Sequence, residues 1–371
     1  MSFTKEKSKQ ERNKKIEVWL LKASIIFFFV AITIGSFFFF GGLKIFQPTI
    51  FVNDFRGCEF QIHTIDVENG DAFLLRLPNN KTMLIDCGEE EYSNRVVSYI
   101  NQYFESEGLN KIDYFIITHP DSDHCGAGEI IFDNFKVDRL YRPTINSMNE
   151  PLDSTLQQSF KTSESTIYDD VIMAAIKQKT KMIYSQEGEK INLDNCEIQF
   201  LSPSKTSYEN DNNYSAVIKI RYYTKSFLFM GDAEQLIEKT LIEKYGSELK
   251  ADLLKVGHHG SKTSTSQEFL SVVAPEYAII SAGDNSSMHP NKEVVERIKL
   301  ANCEILSTAE KQNFVLTVNY NQIVFESQKE SANVWAIVFS MTIVLCLVVL
   351  NLPFSPREKQ KNSKPDKFNC E

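Results

Sequence analysis

The polar and apolar positions of this chain fall into three regimes. Two stretches carry no charged residue at all: Ala23–Leu43 (ASIIFFFVAITIGSFFFFGGL) and Ser331–Pro356 (SANVWAIVFSMTIVLCLVVLNLPFSP). Each is long enough to cross a hydrocarbon core of ~30 Å as a helix. The first exceeds the ~7–15-residue core of a cleaved signal, and "GGLKIF" lacks a small-x-small cleavage pattern, so an uncleaved anchor is expected. The unbroken Val/Ile/Leu run of the second, followed by a basic tail, reads as a span rather than a buried core helix. The expected division is a basic tail at 1–22, a span at 23–43, a soluble domain at 58–327, a second span at 333–354 and a basic tail at 355–371.

Between the spans, short apolar runs alternate with segments of helical spacing. "EFQIHTIDV" and "DAFLLRL" read as strands joined by an "ENG" turn, followed by a strand at "KTMLIDCG". Val96, Val97, Ile100 and Phe104 are spaced as one face of a helix that opens at Ser93, a candidate N-cap. "KIDYFIITHP" is apolar on both alternating faces, as in a strand buried on both sides. Residues 141–190 are more polar and read as an insertion containing a helix at "TIYDDVIMAAIKQKTK". Strands resume at "CEIQFLSPS", "SAVIKIRYY", "KSFLFMGDAE", "DLLKVGHHG" and "YAIISAG". Helices are expected at "EQLIEKTLIEKYG", "SQEFLSVVA" and "NKEVVERIKLA", and a closing pair of strands at "NFVLTVNY" and "QIVFES". Such alternation predicts a single α/β domain of ordinary size.

Charge sharpens this division. The formal net charge is −9, yet residues 1–22 carry seven basic and three acidic side chains and 355–371 carry five and three, which leaves −15 for the rest. Basic residues flank the outer ends of both spans, so both tails are expected in the cytoplasm and the domain outside. A nucleic-acid binder relying on a broad basic patch is excluded by the acidic balance. Five cysteines of the soluble part (58, 87, 125, 196, 303) form no CxxC pair and no disulfide framework, a pattern more usual in a reducing compartment.

The chemistry concentrates at strand ends. His119, Asp121, Asp123 and His124 fall within "FIITHPDSDHCGAGE" directly after an apolar run. Crowded carboxylates and imidazoles repel and lose hydration there unless a cation compensates them. Asp86 ("MLIDCG"), Asp232 ("LFMGDAE") and His258–His259 ("LLKVGHHGSKTS") punctuate three other apolar runs, where α/β folds collect ligands. His289 precedes the last helix of the domain, and His63 sits inside a strand as a structural or surface residue.

Together "HPDSDH", "GDAE" and "HHGSKTS" resemble the metallo-β-lactamase fold, closest to the soluble hydrolase domain of ComEC-type DNA-internalisation competence proteins. "HTIDVENGDAFLL", "TMLIDCG", "NDNNYSAVIKI" and "SAGDNSSMHP" extend the match over about residues 58 to 327. The resemblance implies a four-layer αβ/βα sandwich with a metal site at one edge of its paired sheets. It implies His119, Asp121, Asp123, His124, Asp232 and one of His258 and His259 as ligands of one or two ions. Asp121 stands where the family has a histidine, and the intermediate histidine is replaced by Asp211, Asn212 and Asn213. That oxygen-rich set suits Zn²⁺ or Mn²⁺. Asp123 is expected to orient or deprotonate water, and His289 to donate a proton or bind substrate. Asp86 and Asn213 are expected to support ligands from behind, and Ser261, Lys262 and Thr263 to contact phosphate.

These expectations converge on a membrane-anchored metal-dependent phosphodiesterase or nuclease, with the lipid bilayer and single-stranded or incoming DNA as partners. The alternatives are a hydrolase of envelope phosphodiesters (choline or teichoic-acid type) and a membrane-tethered sensory or interaction protein with a degenerate site. β-Lactam hydrolysis is disfavoured by Asp121 and the missing histidine.

Overall fold

The computed structural model describes residues 2–39, 60–143, 167–204, 208–283, 289–319 and 321–352. The chain divides into two units, one formed by its two ends (1–47 and 332–371) and one spanning 48–331.

The second unit contains two sheets. Strands β1 (Phe60–Thr64), β2 (Phe73–Leu77), β3 (Lys81–Ile85), β4 (Lys111–Ile116), β5 (Lys136–Arg142) and β6 (Lys181–Tyr184) belong to the first. Strands β7 (Lys190–Leu193), β8 (Cys196–Phe200), β9 (Ile218–Tyr222), β10 (Lys225–Phe229), β11 (Leu253–Lys255), β12 (Tyr277–Ile280) and β13 (Glu304–Ser307) form the second. The closing hairpin, β14 (Phe314–Asn319) and β15 (Gln322–Ser327), returns to the first sheet and pairs with β1. The orders are β15-β14-β1-β2-β3-β4-β5-β6 and β13-β12-β11-β10-β9-β8-β7.

Alternation along the strands builds the layers. Phe73, Met83, Ile85, Phe227 and Phe229 point into a core between the sheets. Their neighbours Leu74 and Leu84 join a second core beneath helices Ser93–Glu107, Gly128–Asn134 and Ile167–Gln178. Leu228, Met230 and Leu254 join a third beneath Gln235–Tyr245, Gln267–Val273 and Lys292–Leu300. Three cores separate four layers, the αβ/βα sandwich expected. Because β3–β6 and β10–β13 run parallel, their C-terminal ends come together at one edge of each sheet.

Several sequence expectations change. Ser93 does not cap its helix: a 3₁₀ turn, Glu90–Tyr92, leads straight in, Tyr92 takes the cap position, and no side chain bonds the free amides there. The region 141–190 is not wholly an insertion. Tyr168, Val171, Ile172 and Ala175 are buried in the core under the first sheet, and β6 and β7 are edge strands of the two sheets. The remainder, 144–166, lies outside the described residues. β13 has no counterpart among the expected strands, because "CEILS" is too short to show a period.

In the first unit, a helix covers Ser2–Phe39, and the stretch Glu11–Gly35 is long and apolar enough to cross a membrane. The second expected span is helical over Gln328–Asn351, but its described apolar part, Val338–Asn351, is shorter than a span. Two flanking spans are therefore reduced to one among the described residues.

His63 is structural. Its Nε2 donates to Gln61 Oε1 (3.3 Å) and its Nδ1 accepts from the Tyr99 hydroxyl (2.9 Å), so the neutral ring is satisfied. Burial and the nearby Arg76 lower its pKa to about 3. The unfolded chain takes up this proton near 6.5, so the folded state loses stability as pH falls below 6.5 toward 3. By pH 4.5 this amounts to roughly 2–3 kcal/mol. Urea unfolding of His63→Gln at pH 7.5 and 4.5 should show that much less acid sensitivity than the parent; equal sensitivity would refute the assignment.

Candidate metal centre

Five parallel-strand ends and one loop supply the site. Asp86 follows β3, His119 to His124 follow β4, Asp232 follows β10, His258 and His259 follow β11, Ser281 follows β12, and Asp71 lies in the loop joining β1 to β2. Asp123, His124, Asp232 and His259 present ligand atoms within 4.8 Å of one another. His124 Nε2 lies 3.1 Å from Asp232 Oδ1 and 3.2 Å from His259 Nε2. His259 Nε2 lies 3.2 Å from Asp123 Oδ2 and 3.4 Å from Asp232 Oδ2. Donors about 2.0–2.2 Å from one ion stand roughly 3–3.5 Å apart, so the spacing fits a shared cation.

The protons decide what this cluster is. His124 Nδ1 faces Asp86 Oδ2 at 2.9 Å, and His259 Nδ1 faces the Ser281 carbonyl at 2.8 Å. Both partners only accept, so each Nδ1 carries the hydrogen and each Nε2 is left with its lone pair. With both rings neutral, two Nε2 lone pairs and two carboxylates face one another across the gap a cation would fill. Asp232 Oδ1 is buried and has no hydrogen-bond partner. Burial disfavours charge on His124, yet the carboxylates of Asp232, Asp123 and Asp86 outweigh it and hold its pKa well above the ordinary value. His259, equally buried, is raised to about 10 by Asp232 and Asp123. Burial opposes ionisation of Asp123 and Asp232, but the facing rings hold both carboxyls well below the usual range. Without a metal, protons supply the missing positive charge; the donor set fits a divalent ion.

Asp86 fixes two rings at once. Beyond His124, it accepts from Thr118 N (2.8 Å) and Thr118 Oγ1 (2.7 Å). With its hydrogen so committed, Thr118 Oγ1 accepts from His119 Nδ1 (3.1 Å), which leaves His119 Nε2 bare. That atom is buried without a hydrogen-bond partner, 3.9 Å from Asp232 Oδ2 and 3.6 Å from Asp121 Oδ2. Asp121 is half-exposed at the rim, outside the tight four.

The histidine pair separates cleanly. His259 joins the four; in His258 the Nδ1 accepts from the Asn212 amide (3.3 Å), which puts the ring proton on Nε2, 3.7 Å from Asp232 Oδ2. Both residues have left-handed backbones (φ 47 and 50). Asn212, not the expected Asn213, touches a ring; Asn213 is buried beside it with its Oδ1 lacking a hydrogen-bond partner. The His289 ring centre lies 5.2 Å from His258, and burial together with His258 and His259 lowers its pKa. A neutral His289 suits hydrogen bonding better than general acid catalysis. Ser261 is buried, its hydroxyl 3.1 Å from that of Thr263, which donates to Glu234; Lys262 is exposed between them. Sequence reading missed Asp71, Thr118, Asn212, Lys255 and Ser281. A lysine in the apolar run "DLLKVG" was the one available signal, since an unpaired lysine is rarely buried.

A divalent ion must displace the protons held at His124 and His259. Binding should therefore release protons, and apparent affinity for Zn²⁺ should rise with pH until it levels near the raised His259 value of about 10. Calorimetric titration in buffers of different ionisation heat measures this. Affinity that stays flat from pH 6.5 to 9 would exclude proton-loaded rings at His124 and His259 in the metal-free site.

The sequence matches the metallo-beta-lactamase superfamily over residues 65–284. It is 28% identical to ComE operon protein 3 of Bacillus subtilis (strain 168) over 285 residues, 73% of this chain and 34% of that protein. It is 30% identical to Recombination protein 2 of Haemophilus influenzae over 67% of this chain and 28% of that protein. Competence protein ComA of Neisseria gonorrhoeae is 37% identical over 66% of this chain and 30% of its own length. The chain thus spans about a third of these ComEC-type competence proteins. By sequence, the chain belongs to the metallo-β-lactamase superfamily.

Proposed function

We propose that this chain is a membrane-anchored, metal-dependent hydrolase that cleaves phosphodiester bonds in nucleic acid. The observation that carries the reading is the convergence of four donors from Asp123, His124, Asp232 and His259, with the Nδ1 hydrogens of both rings turned to outer acceptors. A degenerate sensory fold has no need to keep such a costly cluster intact. The relatives' names, competence and recombination proteins, favour DNA over other phosphodiesters. The acidic balance of the chain makes the ion more necessary, since only local positive charge offsets repulsion of a polyanion.

Held there, Zn²⁺ or Mn²⁺ supplies Lewis acidity and makes water nucleophilic at neutral pH. The protein's own groups do the rest. Asp86 and Thr118 set the tautomers of His124 and His119, so both rings offer bare Nε2 atoms. Asp232 reaches toward both halves of the ligand set, with Oδ1 facing His124 and Oδ2 facing His259, His258 and His119. Around Asp232 Oδ2, His119 and Asp121 make a looser second position for an ion. On this reading His289 hydrogen-bonds substrate beside His258, and the exposed Lys262 is the residue of its segment free to meet phosphate oxygens, Ser261 being buried against Thr263.

The anchoring reading rests on the first unit. Phe27, Phe28, Met341 and Leu347 are all more than half exposed, an apolar surface suited to lipid. The Lys22 ammonium donates to the Leu350 carbonyl, and Thr33 and Thr342 hydroxyls lie 3.0 Å apart, so the two helices pair antiparallel with both ends of the chain on one side. The basic tails favour the cytoplasm for that side, which on this reading puts the hydrolase domain outside. Cysteines 87, 125, 196 and 303 fit an oxidising exterior after all. All four are buried and unpaired, and burial pushes the Cys125, Cys196 and Cys303 thiols to about 12, where they are inert.

The full-length chain in detergent, given Mn²⁺ or Zn²⁺, should cleave single-stranded DNA and bis(nitrophenyl) phosphate. Asp232→Asn and His259→Ala should each lower the rate by on the order of 100-fold or more. Cleavage of choline or teichoic-acid phosphodiesters but not DNA would replace the substrate; no cleavage and no bound metal would end the enzyme reading. A reporter fused at residue 330 should be active only outside the cytoplasm, and cytoplasmic activity would invert the topology.

A further inference from the structure

The ligand set comes from two sheets. Asp123, His124 and His119 hang from the first, Asp232 and His259 from the second. Something must hold the two halves in register, since neither sheet alone brings the donors together. One buried ion pair spans the gap. The Lys255 ammonium, fully buried on β11, lies 2.8 Å from Asp71 Oδ2 and also donates to its own chain at Val256 O (2.8 Å). Asp71 belongs to the first sheet's β1–β2 loop and Lys255 to the second sheet, four residues before His259.

From Asp71, contacts reach two ligand-bearing segments and the segment that carries Asp86. Its backbone N–H donates to the Asp123 carbonyl (3.1 Å), and its own carbonyl accepts from Gly88 N (2.9 Å), two residues past Asp86. Its Oδ1 accepts from the Ser281 hydroxyl, and the carbonyl of that same serine fixes the His259 tautomer. The loop also has no slack: a Cβ on Gly70 (φ 142) would fall 2.4 Å from the Asp123 carbonyl oxygen. Asp71, Asp86 and His124 present ligand atoms within 4.8 Å of one another, and Lys255 supplies a positive charge to that group through Asp71.

We propose that Asp71 and Lys255 are positioning residues that hold the two half-sites together and preset the metal ligands, acting through Ser281 on His259 and through the backbone on Asp123. Neither touches the ion or the substrate. This rests on the metal reading above. Supporting residues of ligands typically contribute about 10–100-fold in metal affinity.

A single substitution strands one buried charge and is strongly destabilising. The informative variant is the double, Asp71→Asn with Lys255→Met, which removes both charges together and keeps the volumes; Ser281→Ala is the milder companion. Both are made in the full chain and checked for folding by circular dichroism. Affinity for Co²⁺ is then measured by titration, and the visible spectrum of bound Co²⁺ reports ligand geometry. The folded double variant should bind Co²⁺ roughly 10–100-fold more weakly with an altered spectrum, and Ser281→Ala should shift the same way by less. A folded double variant with parental affinity and spectrum would overturn the proposal while leaving the metal site standing. A double variant that fails to fold leaves Ser281→Ala decisive: parental affinity and spectrum there overturn the coupling to His259. A parent chain that binds no Co²⁺ would remove the metal reading and this proposal together.

Discussion

Four ligand atoms aimed at one point, too crowded with negative charge to stand without a cation or protons between them, are the constraint around which this domain is arranged. Every neighbouring contact serves to keep them so. Asp86 and the Ser281 carbonyl accept from the far side of two rings, and Thr118 does the same for a third. These acceptors sit at the ends of parallel strands because strand direction is what brings distant segments to a common edge. The sandwich is thus less a container for the site than the reason its two halves meet.

Much of this was legible in the sequence because it depends on local pattern. Alternating apolar runs give the strands, and polar residues at their ends stand out against them, so Asp86, His119, Asp123, His124 and Asp232 could be picked by position alone. What was not legible depends on register across space. The choice of His259 over His258 follows from which ring finds a carbonyl and which finds an amide, and adjacent histidines look alike in a sequence. Asp71 is hidden in a turn where Asp-rich sequence is ordinary, and its partner is 184 positions away in the numbering of the chain. Asn212 and Asn213 differ only in which way a short 3₁₀ turn points them.

The misread elements share a cause. Ser93 has capping chemistry, but a preceding turn decided where the helix began. Residues 167–184 looked polar enough to be an excursion, yet one face of that helix and the strand after it complete the first sheet and its core. In both places a neighbouring element overrode local propensity. Glu11–Gly35 shows the opposite behaviour, because its being long and apolar enough to cross a membrane is a property of composition alone.

His258 and His259 stand in succession in a left-handed backbone, a conformation that non-glycine residues enter at a cost of about 1–2 kcal/mol each. The turn is closed by Ser261 N donating to the His258 carbonyl and by Ser264 Oγ donating to Gly257 O. Glycine would enter this turn freely, so the chain accepts main-chain strain there in order to present two adjacent imidazoles in different directions, one to the ligand cluster and one to Asn212.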